Sequence, residues 1–203
     1  MPIPVEIQHI RAEGGEQAQL VTPRLVLRQM ARGDIDRILA TRHEDDGSSL
    51  VAAAPGREDL EVLCRVFAEE WRRHGLGYLL VVEADAGLLA GHVRLAPFER
   101  PSGGRGAELT YGIDPAFQGR GYATEAAAAA TLYALEAAKV DPVLACIPPE
   151  NEISLSVARR LNFASMGESV VHGLRMKRML MSLASWRAAP AAIAIAGSIA
   201  GVL

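Results

Sequence analysis

Residues 114–126, DPAFQGRGYATEA, set the tightest limits on what this chain can become. In Gln118-Gly119-Arg120-Gly121-Tyr122-Ala123, two glycines and one arginine stand ahead of an alanine-rich run. Glycine takes positive φ without steric cost and lets a ligand come close to the backbone. The helical turn that follows has N–H groups with no partner of their own, and the helix dipole adds partial positive charge. Loop and helix start together make a site for phosphate. Taken alone, the loop is equally a helix-opening turn with no ligand. The five alanines at 126–130 favour a helix and let it pack close to a sheet. That helix starts at Gly121 or Tyr122 and runs to about Lys139.

Composition narrows the function class. The 203 residues suit one domain with an appendage, and half are hydrophobic, enough for a substantial core. Net charge is −3, so nothing global points to nucleic acid. Cys64 and Cys146 lack metal-ligand spacing and fit a reduced, cytoplasmic setting. His43-Glu44-Asp45-Asp46 reads as a solvated helix end, and with no second ligand cluster no metal is expected. His74, His92 and His172 stand apart and read as surface or core residues. The first residues lack the apolar stretch of a signal peptide.

In chain order, residues 1–19 are a loose leader or an edge extension. Residues 20–30 alternate as a strand. Asp34 is a candidate N-cap for a helix reaching about His43. Residues 44–56 are a loop. Residues 57–73 form an amphipathic helix through Leu60, Leu63, Val66, Phe67 and Trp71. Residues 78–82 and 88–95 form a hairpin around Asp85-Ala86-Gly87. Residues 97–106 are a mobile loop and 107–113 a strand ended by Asp114-Pro115. After the alanine helix come a buried strand at 142–147, a helix from Asn151 to Asn162, and two strands at 164–171 and 174–183. Asn162 is placed to end its helix in the left-handed conformation. The pattern is mixed α/β, mostly antiparallel, with parallel pairing around the alanine helix.

Three segments in order resemble the GNAT acetyltransferases, in the Rim-type branch of ribosomal-protein N-acetyltransferases. They are Thr22-Pro-Arg-Leu-Val-Leu-Arg28, Glu108 to Pro115 with Gln118 to Ala126, and Asn151-Glu-Ile-Ser154 with Ala158 to Phe163. The family pattern in the middle segment is Gln/Arg-x-x-Gly-x-Gly/Ala. The resemblance covers about residues 20–186 and implies the GNAT fold, a mixed, mostly antiparallel sheet of about six to seven strands with four helices. A pair of strands, before the loop and at 143–147, would splay apart at the CoA site.

The resemblance also implies roles. Acetyl-CoA would be the co-substrate, its pyrophosphate on the N–H groups of Gln118, Gly119, Arg120, Gly121, Tyr122, Ala123 and Thr124. The pantetheine would run beside the Tyr111–Ile113 backbone, with an N–H near Ile113 polarising the thioester carbonyl. Asn151 would hydrogen-bond the pantetheine, or serve as a helix cap, or both. Direct transfer to an amine needs a base to remove a proton, and Glu108 matches the family's carboxylate. The alternative for Glu108 is a pair with Arg94 or Arg105. Many members protonate the leaving thiolate with a tyrosine near the end of the chain, but no tyrosine follows Tyr133 here. Ser154 is the substitute, unless it merely sits in the first turn of its helix. Cys146 reads as core. The family's Gly-Phe is Asn162-Phe163 here.

The implied acceptor is a primary amine of a peptide N-terminus or a small molecule, in a groove lined by residues 34–43, 57–74 and 97–105. Glu44, Asp45 and Asp46 are compatible with a cationic amine. The competing class is an acyl-CoA-binding GNAT module without turnover. Residues 187–203 end in AAPAAIAIAGSIAGVL, where Pro190 and Gly197 interrupt an apolar stretch shorter than a spanning helix needs. This argues against a membrane anchor and leaves a packed segment, a homodimer contact or a disordered tail.

Overall fold

The computed structural model describes residues 4–12, 15–40, 56–171 and 173–189. The readings placed on residues 41–55, His172 and 190–203 lie outside these. Among the described residues nine strands form one sheet: β1 Glu6–Ala12, β2 Gly15–Val21, β3 Leu25–Arg28, β4 Tyr78–Glu83, β5 Leu89–Glu99, β6 Arg105–Ile113, β7 Val143–Ile147, β8 Ala164–Val171 and β9 Leu174–Met181. Their spatial order is β1-β2-β3-β4-β5-β6-β7-β9-β8. Only β6 and β7 pair in parallel; the other neighbours are antiparallel.

The sheet exceeds the expected six to seven strands because residues 6–21 form an edge hairpin. Its sequence alternates poorly because an edge ribbon buries little: Val5 and Leu20 enter the core, while Gln19 donates to Gln8 across the strands at 2.8 Å. The single strand expected at 20–30 is two, broken where Pro23 cannot donate to a ladder. Thr22 and Leu25 close the turn with a backbone bond of 2.9 Å. The loop expected at 97–106 is shorter, since Pro97 to Glu99 still pair with Ala107 to Arg105.

The helices are α1 Ile35–Ala40, α2 Arg57–His74, α3 Tyr122–Leu132, α4 Glu152–Arg160 and α5 Leu183–Ala188. Asp34 precedes α1 in a 3-10 turn; its carboxylate accepts from Ala31 N–H at 2.9 Å and binds Arg28 at 2.6 and 2.7 Å, so it braces β3 rather than capping α1. Helix α3 continues as a π-helical turn, Tyr133–Ala137, and the chain leaves it at Lys139 with φ 54°. Asn162 ends α4 with φ 60°, as its side chain allows. The strand expected at 174–183 ends at Met181 and α5 begins at Leu183; Ser182 caps the helix by accepting from Ser185 N–H, and Trp186 is buried. No helix of the described residues is long and apolar enough to cross a membrane.

The helices cover both faces of the central strands, which explains the unbroken apolar run of β4. Leu79 and Val81 join Leu25, Val93, Leu109 and the alanines of α3 on one face. Tyr78, Leu80 and Val82 join Ile35, Ile38, Leu60 and Phe67 under α1 and α2 on the other. Phe67, Tyr78 and His92 stack there, with centroids 4.4 and 5.3 Å apart. All five alanines at 126–130 are fully buried, so α3 lies against the sheet at a distance larger side chains would forbid.

This placement opens the sheet. Strands β6 and β7 are in register only at Ala107↔Val143 and Glu108↔Leu144. Beyond Glu108, β6 continues five residues to Ile113 without a paired strand on that side.

Candidate active site

The site lies in that opening. Ala107 N–H bonds Pro142 O on the β7 side, and Asp114 N–H bonds Ala90 O on the β5 side. Strand alternation therefore turns the N–H and C=O groups of Leu109, Tyr111 and Ile113 toward the gap. Gln118 Nε2 reaches back to Ile113 O at 2.9 Å, which folds the loop onto the strand end. Asp114 holds the entering turn by accepting from Ala116 N–H at 2.9 Å.

Gly119 and Gly121 have φ of 74° and 80°, so the loop uses the freedom its sequence implied. Gly121 is the N-cap of α3, and having no side chain it satisfies none of the first-turn N–H groups. The first of these bonds in the helix is Glu125 N–H to Gly121 O, at 3.2 Å. The donors ahead of it face a cleft of about 540 Å³. Its floor is Tyr111, Gly112 and Ile113. One wall is Phe117, Gln118, Gly119 and the start of α3 at Gly121, Tyr122, Ala123 and Thr124. The opposite wall is Asn151 with Ile153, Ser154, Val157 and Arg160 of α4.

The structure thus brings together ten of the expected site residues, all except Glu108 and Arg120. Arg120 turns its guanidinium to Glu83 at 3.2 Å and to Ala116 O at 3.1 Å, over the Phe117 ring. Only its backbone belongs to the loop wall. Glu108 is the last residue of β6 paired with β7, and it alternates with Ala107 and Leu109, which face α3. Its side chain therefore lies on the other sheet face, at the point where the strands part. Neither suggested partner holds it: Arg94 binds Glu70 at 2.7 Å, and Arg105 donates to His74 O. Cys146 is half-buried beside Glu108 rather than in the core. Burial and the Glu108 carboxylate push its thiol up, while Arg178, opposite it on β9, pulls it down.

Asn151 is the N-cap of α4, its Oδ1 accepting from Ser154 N–H at 3.0 Å. Its amide NH₂ remains available to a ligand. Tyr111 donates to Ser154 O at 3.4 Å, tying floor to wall, and burial raises its hydroxyl pKa.

Sequence reasoning missed what holds the loop wall in place. Glu125 is 2% exposed and gathers Thr22 Oγ1 at 2.6 Å, Arg24 N–H at 3.1 Å and Arg24 Nε at 2.7 Å. Arg24 Nη1 also binds Arg120 O at 2.8 Å, and its guanidinium covers the Tyr122 ring at 5.0 Å. Tyr122 in turn donates to Glu83 at 2.6 Å. These partners lie 39 to 103 positions apart, so no local pattern links them. Ile153, Val157 and Arg160 were legible in principle as one helical face with Ser154.

The family model described as an acetyltransferase (GNAT) domain matches residues 24–164. The chain belongs to the GNAT acetyltransferase family. As a GNAT protein it is an acetyl-CoA-dependent N-acetyltransferase. Solved GNAT structures share its fold. A ribosomal-protein-S5-alanine acetyltransferase from Vibrio fischeri is 19% identical with TM-score 0.66, over 83% of this chain and 98% of that one. The spermidine/spermine N-acetyltransferase of Vibrio cholerae is 22% identical with TM-score 0.60, over 81% and 98%. RimL, a ribosomal-protein acetyltransferase solved with coenzyme A, is 19% identical with TM-score 0.63, over 81% and 97%. The GNAT chain's own residues fit such a substrate: a side-chain-free helix cap for phosphate, and a strand edge lacking its neighbour for an amide-bearing arm.

Proposed function

We propose that this protein moves the acetyl group of acetyl-CoA directly to the primary amine of a peptide N-terminus or a small molecule. The observation that carries the reading is the cleft's layout: the uncapped α3 start lies at one end of the unpaired β6 edge and Glu108 at the other. The pyrophosphate rests on the N–H groups of residues 118–124. The arm lies along Tyr111–Ile113, bonded by the Asn151 amide. Glu108, through water, takes a proton from the ammonium; the free amine attacks the thioester carbon, the N–C bond forms and the C–S bond breaks. The Ile113 N–H stabilises the developing oxyanion. The attacking nitrogen's second proton leaves as the C–S bond breaks and passes to the thiolate sulfur, giving the free thiol, while the Ser154 hydroxyl donates a hydrogen bond to that sulfur.

The acceptor classes follow the relatives, whose names specify a ribosomal-protein alanine and spermidine/spermine. The catalytic unit spans residues 20–186, with the N-terminal hairpin as an edge appendage. The free cysteines Cys64 and Cys146 fit a reduced, cytoplasmic setting. The test is free-thiol release from acetyl-CoA with a panel of amines, N-terminal peptides and polyamines included. Release that depends on one amine class supports the reading; tight coenzyme binding with no release for any amine rejects it.

A further inference from the structure

The sheet face that carries Glu108 continues across β7 to β9. The register pairs Glu108 with Leu144, Leu144 with Leu180, and Cys146 with Arg178. Paired residues share a face. Val143, Ala145, Met179 and Met181 take the opposite face, in the core with α3 and α4. Leu144 and Leu180 are half-buried, and neither joins the cluster that α1 and α2 form on the Glu108 face. They make a partly open apolar floor, with Glu108 on one side and the exposed Arg178 on the other.

Among the described residues neither of these charges has an ion pair, with each other or with a third group. The other arginines close by are taken. Arg94, opposite Thr110 on the same face, binds Glu70 at 2.7 Å, and Arg175 binds Glu168 at 2.7 Å. The thiol of Cys146 lies between the two charges: besides burial, which raises it, the Glu108 carboxylate pushes it up and the Arg178 guanidinium pulls it down. Two strand spacings and an offset of two residues put the Glu108 and Arg178 Cα atoms about 12 Å apart. A carboxylate and a guanidinium thus face each other across an apolar floor without closing.

Resting on the acetyl-transfer reading above, we infer that Arg178 anchors a carboxylate of the acceptor, so that the site takes a zwitterionic amine with its ammonium at Glu108. Such a molecule satisfies both charges, and its carbon skeleton lies on Leu144 and Leu180. The planar fork of arginine binds a carboxylate through two parallel N–H bonds, which also fixes the direction of the amine. A polyamine would set a second cation against Arg178. The carboxylate is the α-carboxylate of a free amino acid or the side chain of an acidic N-terminal residue.

The test is steady-state thiol release from acetyl-CoA with matched acceptors: alanine against alaninamide, a peptide beginning with aspartate against the same peptide beginning with asparagine, and spermidine. The wild-type chain should favour the carboxylate member of at least one pair. A preference confined to alanine assigns the α-carboxylate, and one confined to the peptides assigns the side chain. Arg178→Gln should lower kcat/KM for the preferred member about five- to twentyfold, through KM, and leave its neutral match unchanged. Arg178→Lys should restore part of the loss, and Arg175→Gln should change none of these values. Equal wild-type rates within both pairs, fastest turnover of spermidine, or an Arg178→Gln loss that is absent or equal for both members overturns the assignment of Arg178 while the acetyl-transfer reading stands. No thiol release with any amine overturns both. Arg178 is exposed, so Arg178→Gln should keep the wild-type melting temperature.

Discussion

Glu125→Gln isolates the buried carboxylate that anchors the phosphate loop. The amide keeps the shape, and its carbonyl can still accept from Thr22 and from Arg24 N–H. What goes is the charge facing Arg24 Nε at 2.7 Å and Nη2 at 2.5 Å. A hydrogen bond to a charged group is worth about 1.5–3 kcal/mol when dry. The Arg24 side chain is 48% exposed, so water replaces part of that. A discounted loss of about 1–2 kcal/mol remains. For a chain of this size that lowers Tm by about 2–8 °C. Arg24 also grips Arg120 O, so loosening it should raise KM for acetyl-CoA more than it lowers kcat. Thermal melts and steady-state kinetics on Glu125→Gln, Arg24→Gln and the double variant measure both effects. The cycle should yield a coupling of about 1 kcal/mol. Coupling near zero, with Tm and KM at wild-type values, refutes the anchoring argument.

Other parts of the site yield separate tests. Gly121→Val places a β-branched residue at φ 80°, at about 1–2 kcal/mol, and puts methyl groups where phosphate must approach. Its Cβ would stand 3.6 Å from Arg24, an ordinary contact, so the fold should survive while calorimetry detects no coenzyme binding. Wild-type affinity would rule out the phosphate loop. Ala128→Leu overpacks the fully buried face of α3 and should cost about 1–3 kcal/mol in urea denaturation; an unchanged midpoint would mean α3 is not pressed against the sheet. Glu108→Gln should cut the acetyl-transfer rate more at neutral than at alkaline pH, and a uniform loss would assign Glu108 a structural role. The same variant removes a negative neighbour that raises the Cys146 thiol, so Cys146 should be alkylated faster near pH 8. Peptide mapping that finds equal rates would contradict the contact.

The legible parts of the site are those in which one short segment supplies both the conformation and the chemistry. Gly119, Gly121 and Asn162 all take positive φ, as residue type alone suggested. Asn151 caps its helix through its own side chain, a bond three residues long. Arg120 illustrates the limit. Its N–H belongs to the expected phosphate loop, but no local pattern shows that Glu83, on a distant strand, takes its side chain. Cys146 looked like core because β7 is apolar, while its face is set by Glu108 and Arg178 from two other strands.

The sequence by itself determined the helix-start loop and the mixed α/β pattern, because glycine placement, alanine content and apolar period act within a few residues of each other, and three motif segments carried the family resemblance. Tertiary structure alone decided how the loop is held and where the charges go. The parting of β6 from β7 after Glu108, the grip of Thr22 and Arg24 on Glu125, and the placing of Asn151 and Ser154 across the cleft from the loop each join residues dozens of positions apart. Distance through space sets electrostatic and hydrogen-bond energy, and only the folded chain sets that distance.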